Sequence, residues 1–327
     1  MESYINRITQ TGIVPVVKIL EAEDALPLAT ALYNGGIDVA EVTYRSEHAT
    51  SAIKTISENL PGMLVGAGTV LTVKQAQEAV EAGAKFIITP GFNNAVVAWC
   101  LEHNVEVYPG VSTASEIEMA LSYGLTNLKF FPAESSGGSK KLKDLSGPYP
   151  QVSFIPTGGI NANNLHDYLQ LPNVNAIGGS FMLPNDLLVN KDWDGIEALS
   201  KMAVKKLLNF QLIHVGINTQ SKEESLEITN TLCNLFNFTL YNKPKSNFAG
   251  VGFEVLNSKG RGEHGHIGIF TPYPEKAMYH LGKKGITFDE STITRNKKSN
   301  KINFVYLNLE VGGFGIHLIN PDLKMEI

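Results

Sequence analysis

The chain has 327 residues, 43% hydrophobic and 18% charged, enough apolar material for a full core and too balanced for a disordered or low-complexity protein. At roughly 100–200 residues per domain, two domains are expected. A formal net charge of -5 is too mild, and of the wrong sign, for a general binder of nucleic acid or membrane surfaces. Only Cys100 and Cys233 are present, which excludes a disulfide framework and a four-thiolate zinc site and fits a reducing compartment. MESYINRITQ lacks a basic n-region followed by an apolar run, and no uninterrupted apolar stretch of ~18 occurs, so a soluble, cytoplasmic protein is expected.

Up to about residue 210 one pattern repeats: a short β-branched run, a Gly/Asn/Pro turn, then an Ala-rich amphipathic stretch. The runs are IVPVVKI at 13–19, IDVAEVT at 37–43, MLVGA at 63–67, KFIIT at 85–89, VEVYP at 105–109, TNLKFF at 126–131, VSFIP at 152–156 and VNAIG at 174–178. Between them, 24–34, 72–83 and 113–124 read as helices opened by Asp or Thr and closed by Asn or Gly. Continuous apolar strands alternating with helices predict a parallel sheet covered by helices, and eight such units predict a small (β/α)8 TIM barrel over 1–208. A doubly wound open sheet is the rival α/β arrangement.

After 210 the composition changes. Residues 1–210 carry 14 Lys+Arg and 21 Asp+Glu, residues 211–327 carry 13 and 11, and five of the eight histidines fall in the shorter second part. Strands are predicted at 212–218, near 237–242 and near 250–256, with a helix over 221–236. A second round follows, with strands at 265–270, near 286–289, 302–308 and 314–319 and a helix over 274–285. This predicts an α+β domain over 211–327 built of two βαβββ repeats, in which residues from corresponding strands converge. The segment 291–301, STITRNKKSNK, reads as a basic, solvated turn.

Catalytic side chains of such barrels stand at the C-terminal ends of strands. Lys129 interrupts an otherwise apolar strand, and desolvation there favours the free amine that attacks a carbonyl; a lysine snorkelling to solvent is the plain alternative. Glu41 lies inside the strand of DVAEVTYRS, with Arg45 four residues on. A carboxylate can move protons and a guanidinium can hold a carboxylate bidentately, which suits an α-keto acid; a Glu41–Arg45 ion pair is the structural alternative. Thr69 and Pro90 also fall at strand ends. GAGTVL lacks the third glycine of a dinucleotide fingerprint. The turns Thr157-Gly158-Gly159 and Gly178-Gly179-Ser180 close the seventh and eighth strands, where backbone N–H groups can surround a phosphate, unless the glycines serve only the turns.

EVTYR, GAGTVL, ITPGF, YPGVSTASE, KFFPAE, PTGGI and GGSFM, in this order, resemble the 2-dehydro-3-deoxy-6-phosphogluconate (KDPG) aldolase family, which also cleaves 4-hydroxy-2-oxoglutarate (KHG). The resemblance covers residues 1–208. It implies a class I aldolase, with no cofactor and usually a homotrimer, in which Lys129 forms the Schiff base and Glu41 is the general acid/base. It further implies that Arg45, Thr69, Pro90 and Phe131 shape the keto-acid pocket, while Thr157, Gly158, Gly159, Gly179 and Ser180 contact the rest of a small, phosphorylated keto acid. A thiamine-phosphate synthase-like transferase is a second phosphate-binding barrel reading, disfavoured by Lys129 in KFFPAE.

The repeated βαβββ pattern, with HVGI opening the first repeat, GHIGIF the second, and GGFGIHLIN closing it, resembles the vicinal-oxygen-chelate group that includes glyoxalases. In metal-using members four inward positions supply ligands, here His214, Glu254, His266 and His317, with His317 standing where a carboxylate is more usual. That set can bind Zn, Ni, Mn or Fe, so a divalent metal is a candidate cofactor of this domain. His264 is an alternative to His266, and His266 is preferred. A metal-free pocket, a dimer interface, or a small-molecule-binding module regulating the aldolase are the other readings of these histidines.

Overall fold

The computed structural model describes residues 3–321, and the chain divides into two compact units, Met1–Leu207 and Leu208–Ile327. No helix among the described residues is long and apolar enough to cross a membrane.

The first unit is an α/β fold whose short parallel strands curl into a barrel. They are β1 (Ile13–Val17), β2 (Val39–Thr43), β3 (Leu64–Gly68), β4 (Phe86–Ile88), β5 (Glu106–Tyr108) with β6 (Gly110–Val111), β7 (Asn127–Phe130), β8 (Ser153–Pro156) and β9 (Ile177–Gly179). One run of pairing goes β5-β4-β3-β2-β1-β9 and a second β6-β7-β8; a Thr157–Gly178 bridge joins them beside β8. The predicted runs therefore fall on the strands, the fifth interrupted at Pro109, which has no N–H to give a neighbour. Every residue of β2 and β3 is buried, as a sheet covered on both faces requires.

Helices α2 (Ala25–Asn34), α3 (Ala49–Asn59), α4 (Val73–Glu81), α5 (Asn94–Glu102) and α6 (Ala114–Ser122) follow the first five strands. Local chemistry sets their starts. Thr72 caps α4, Asn93 caps α5, and Thr113 with Glu116 forms a reciprocal capping box on α6. Asp24 departs from the expectation. It makes no cap on α2 and instead meets Lys191 Nζ at 2.8 Å. An amphipathic helix that the sequence pattern did not single out, α1 (Tyr4–Thr11), packs Tyr4, Ile5 and Ile8 with Val14, Val39, Leu64, Phe86 and Ile155 from the strands, and Arg7 ties it to Asp38 at 3.0 Å. Burying this apolar cluster stabilises the unit by about 25 cal/mol per Å² removed from water. After β7 come α7 (Gly138–Leu145), α8 (Leu165–Leu169), α9 (Asn185–Val189) and α10 (Trp193–Leu208).

The second unit is one mixed sheet of β10 (Gln211–Ile217), β11 (Leu240–Asn242), β12 (Ser246–Ala249), β13 (Phe253–Leu256), β14 (Gly265–Phe270), β15 (Phe288–Arg295), β16 (Ile302–Val311) and β17 (Phe314–Ile319). Its order, β11-β12-β13-β10-β14-β17-β16-β15, is symmetric about the antiparallel β10–β14 pair, so the two repeats are related in space as in sequence. Helices α11 (Lys222–Phe236) and α12 (Pro274–Gly282) occupy equivalent places in the two repeats. Ser225 of α11 donates to the Val255 carbonyl at 2.9 Å. Two expectations change. β12 lies in polar sequence with no β-branched residue and is recruited by pairing with β13. The 291–301 segment is strand as far as Arg295, paired to Ile302, and only the residues after it turn, with Asn296 accepting from the Lys298 and Ser299 amides.

Candidate active site and a histidine cluster in the second unit

The strand ends of the barrel bring two of the sequence candidates into direct contact. Lys129 Nζ on β7 lies 3.0 Å from Glu41 Oε1 and 3.3 Å from Oε2 on β2, and both residues are buried. Their separation of 88 positions in sequence is bridged only by closing the sheet. Phe131 puts its ring 5.3 Å from the same Nζ. A charged pair is costly to bury unless it is held in register, and here the register is set by strand packing. Gly68 decides the fit of the carboxylate. A Cβ at that position would stand 2.1 Å from Glu41 Oε1, so only glycine leaves room. Gly66 likewise makes way for the Phe86 ring, which gives the Gly-x-Gly of GAGTVL a packing reason instead of a nucleotide-binding one.

The Glu41–Arg45 ion pair does not form. Arg45 Nε instead donates to Thr43 Oγ1 at 3.2 Å, and the fully buried Thr43 hydroxyl donates to the Val17 carbonyl at 2.7 Å. Arg45 is exposed beyond β2, beside a surface hollow of about 600 Å³ that also bears Thr72 and Lys74. Thr69, just past β3, has φ +54°. A β-branched residue in the left-handed region is strained, and strain of this kind collects at functional sites. Pro90 follows β4, and its carbonyl oxygen would be 2.2 Å from a Cβ on Gly110.

The first glycine turn is fastened to the segment after Lys129, and the Thr157–Gly178 bridge ties it to the second. The Ala133 amide donates to the Thr157 carbonyl at 2.8 Å and the Glu134 amide to that of Gly158 at 3.1 Å. Gly158 and Gly159 have φ +106° and +81°, which any other residue would adopt under strain. Thr157 is buried, while Gly159 and Ser180 are exposed at the barrel end. Arg45, Thr69, Pro90, Phe131, Thr157, Gly158, Gly159, Gly179 and Ser180 thus sit at or just beyond the C-terminal ends of strands, while Glu41 and Lys129 lie within β2 and β7. The sequence pattern does not single out Thr43 or Gly68; the two pair across β2 and β3, and Gly68 lies against the Glu41 carboxylate.

In the second unit His214, Glu254, His266 and His317, from β10, β13, β14 and β17, converge. His214 Nε2 is 3.1 Å from both His266 Nε2 and His317 Nε2, and Glu254 Oε2 is 3.5 Å from His214 Nε2 and 3.3 Å from His266 Nε2. The three histidines are buried. Burial would raise the Glu254 carboxyl, but hydrogen bonds from His266 and from Ser246 Oγ at 2.7 Å, with His214 nearby, hold it down at about 2. Burial, then His214 and His266, pushes the His317 imidazole down to about 2. His264 packs against the Phe314 ring, 5.7 Å between centroids, and takes no part in the cluster.

Comparison with known proteins decides the lineage of the first unit. The family model described as KDPG and KHG aldolase matches residues 4–199. The chain belongs to this family. Among curated relatives of the KDPG and KHG aldolases, the 2-dehydro-3-deoxy-phosphogluconate aldolase of Treponema pallidum is 46% identical over 205 residues, spanning 63% of this chain and 98% of its own. The KHG/KDPG aldolase of Escherichia coli K12 is 45% identical over 198 residues, 61% of this chain and 93% of its own. Among solved structures, a KDPG aldolase from Legionella pneumophila with pyruvate captured as a covalent carbinolamine superposes with a TM-score of 0.60 at 41% identity, covering 62% of this chain and 99% of that one.

Proposed function

We propose that the first unit is a class I aldolase that cleaves 2-dehydro-3-deoxy-6-phosphogluconate to pyruvate and glyceraldehyde 3-phosphate, with 4-hydroxy-2-oxoglutarate, giving pyruvate and glyoxylate, as a further substrate. The observation that carries this reading is the buried contact of Lys129 Nζ with Glu41 at the strand ends, 3.0 Å apart, in a chain of this family.

In the proposed sequence, Lys129 Nζ attacks the C2 ketone, and Glu41, in reach of the same nitrogen, supplies the proton that lets the carbinolamine hydroxyl leave as water. The iminium withdraws electrons from the C3–C4 bond. Removal of the C4 hydroxyl proton breaks that bond, the aldehyde departs, and an enamine of pyruvate remains. Protonation at C3 and addition of water then release pyruvate and restore the amine. Arg45 holds the substrate carboxylate, Thr69, Pro90 and Phe131 border the keto acid, and Thr157, Gly158, Gly159, Gly179 and Ser180 hold the hydroxyl chain and phosphate. Remote phosphate binding then contributes to positioning the scissile bond. The chemistry calls on no metal or organic cofactor. A homotrimer is the assembly this reading takes from the family resemblance.

Borohydride reduction in the presence of pyruvate, followed by intact mass and peptide mapping, tests the proposal. A pyruvyl adduct on Lys129, absent in Lys129→Met, is expected. A folded wild-type protein that traps no pyruvate would remove the class I reading.

A further inference from the structure

Beyond the Lys129–Glu41 contact, β2 carries a second buried polar group that the aldolase chemistry leaves without a task. Alternate residues of a strand share a face, so Thr43 points the same way as Glu41, with Val42 turned to the other side. Thr43 is fully buried and pairs with Gly68 of β3, the glycine against which the Glu41 carboxylate lies. A threonine hydroxyl has one hydrogen to give and lone pairs to receive with. Val17, at the end of β1, offers a carbonyl, which only accepts, and Arg45 offers Nε, which only donates, so both directions are forced. The hydroxyl gives its hydrogen to the Val17 oxygen at 2.7 Å and receives Arg45 Nε at 3.2 Å. The bond to β1 therefore fixes the rotor and presents the lone pairs to Arg45.

The backbone around Arg45 is held from both sides. The Tyr44 amide donates to the Gly68 carbonyl at 2.8 Å, and the Ala49 amide donates to the Ser46 carbonyl at 3.3 Å. These bonds place the Cα of Arg45 but leave its long, exposed side chain free to turn. A guanidinium is planar, with Nε on one edge and two terminal nitrogens at the end of the fork. Once Nε is spent on Thr43, the plane of the fork is set and its terminal nitrogens can take a carboxylate side by side. Among the described residues no carboxylate is ion-paired with Arg45. In a 2-keto acid the carboxylate carbon is bonded directly to the ketone that the lysine attacks, so the plane of the fork governs how that ketone is presented to Lys129 Nζ.

We propose that Thr43 is a positioning residue of the aldolase reaction: its hydroxyl, locked to β1, anchors Arg45 through Nε and so orients the guanidinium that grips the carboxylate of the keto acid. The inference rests on the aldolase reading and adds to it the group that sets the geometry of carboxylate recognition.

Borohydride trapping on the full chain, titrated with pyruvate or with pyruvamide, separates the carboxylate contact from imine formation, because pyruvamide keeps the ketone and lacks the charge. Thr43→Val, of similar shape without the hydroxyl, should raise the half-saturating pyruvate concentration about tenfold, equivalent to about 1.4 kcal/mol, and leave that of pyruvamide within about twofold. Thr43→Ser keeps the hydroxyl and should stay within about twofold of wild type for both ketones. In an Arg45→Ala chain, already weak for pyruvate, adding Thr43→Val should cost less than about twofold more, since its effect passes through Arg45. Arg45→Lys leaves the Thr43–Val17 bond in place and removes Nε. It should weaken pyruvate about tenfold in spite of the retained charge, and it decides the matter where Thr43→Val does not fold.

A loss shared equally by pyruvate and pyruvamide, or repeated in full in the Arg45→Ala chain, makes Thr43 a tie between strands and overturns the inference. Wild-type pyruvate binding by Arg45→Lys does the same. A Thr43→Val chain that matches wild type overturns the positioning role while the aldolase reading stands, and a folded wild type that traps neither ketone overturns both.

Discussion

Replacing Gly68 by alanine tests whether sheet packing aims the Glu41 carboxylate. The new methyl carbon would lie 2.1 Å from Oε1, 2.3 Å from Cγ and 2.5 Å from Cδ of Glu41, against ordinary carbon contacts of about 3.5–4.0 Å. The carboxylate must withdraw by roughly 1.5 Å to restore contact distance. Every residue of β2 and β3 is buried, so there is little space to withdraw into and the Lys129 Nζ contact of 3.0 Å is what yields. Overpacking of this kind costs about 1–3 kcal/mol of stability, and misplacing a catalytic group by ~1 Å costs on the order of 10²-fold in rate. Lys129 is untouched. The expected outcome is kcat for pyruvate release, read by a coupled reductase assay, down by about 100-fold with a lowered Tm, while borohydride still traps pyruvate on Lys129. Gly147→Ala, whose Cβ would meet nothing nearer than the Asp144 carbonyl oxygen at 3.7 Å, serves as the control and should leave both unchanged. Wild-type kcat and Tm in Gly68→Ala would refute the account of how Glu41 is positioned.

Other outcomes follow from the same structure. Thr69 holds φ +54°, so Thr69→Gly should melt above Thr69→Ala, which keeps the strain without the hydroxyl, and both should raise KM for the phosphorylated keto acid. Burial acts to raise the Glu116 carboxyl, but hydrogen bonds from Ser112 and Thr113 outweigh it and set it below its usual value. A carboxyl lowered on folding stabilises above its unfolded pKa and loses that contribution as pH falls through the folded one. Glu116→Gln should therefore lower Tm at pH 7, with the gap to wild type closing below about pH 4; an equal gap at both pH values would sink this reading.

The two halves of the chain were legible in different degrees. Apolar runs punctuated by Gly, Pro and capping residues identified the barrel strands because a parallel strand buried on both faces has no polar position to blur the pattern. Lys129 and Glu41 stood out for the same reason, as charges inside such runs. The doubled βαβββ order was readable from repetition, although β12 was not, since its residues carry little strand preference and are held by their neighbour. HVGI, GHIGIF and GGFGIHLIN pointed to the ligand candidates of the second unit through the family resemblance they carry.

What only tertiary structure decided is which residue stands across from which. The packing of neighbouring strands laid the Glu41 carboxylate against Gly68, turned Arg45 to Thr43 instead of Glu41, and set Gly216 and Gly268 under the His266 and His214 rings. The physical reason is that chemistry-bearing residue types are local properties of the chain, while the space each side chain occupies is set by backbone from another strand. Lys129 meets Glu41 across 88 positions, and His214 meets His317 across 103. A single sequence carries the alternation along each strand but leaves the register between distant strands to the fold.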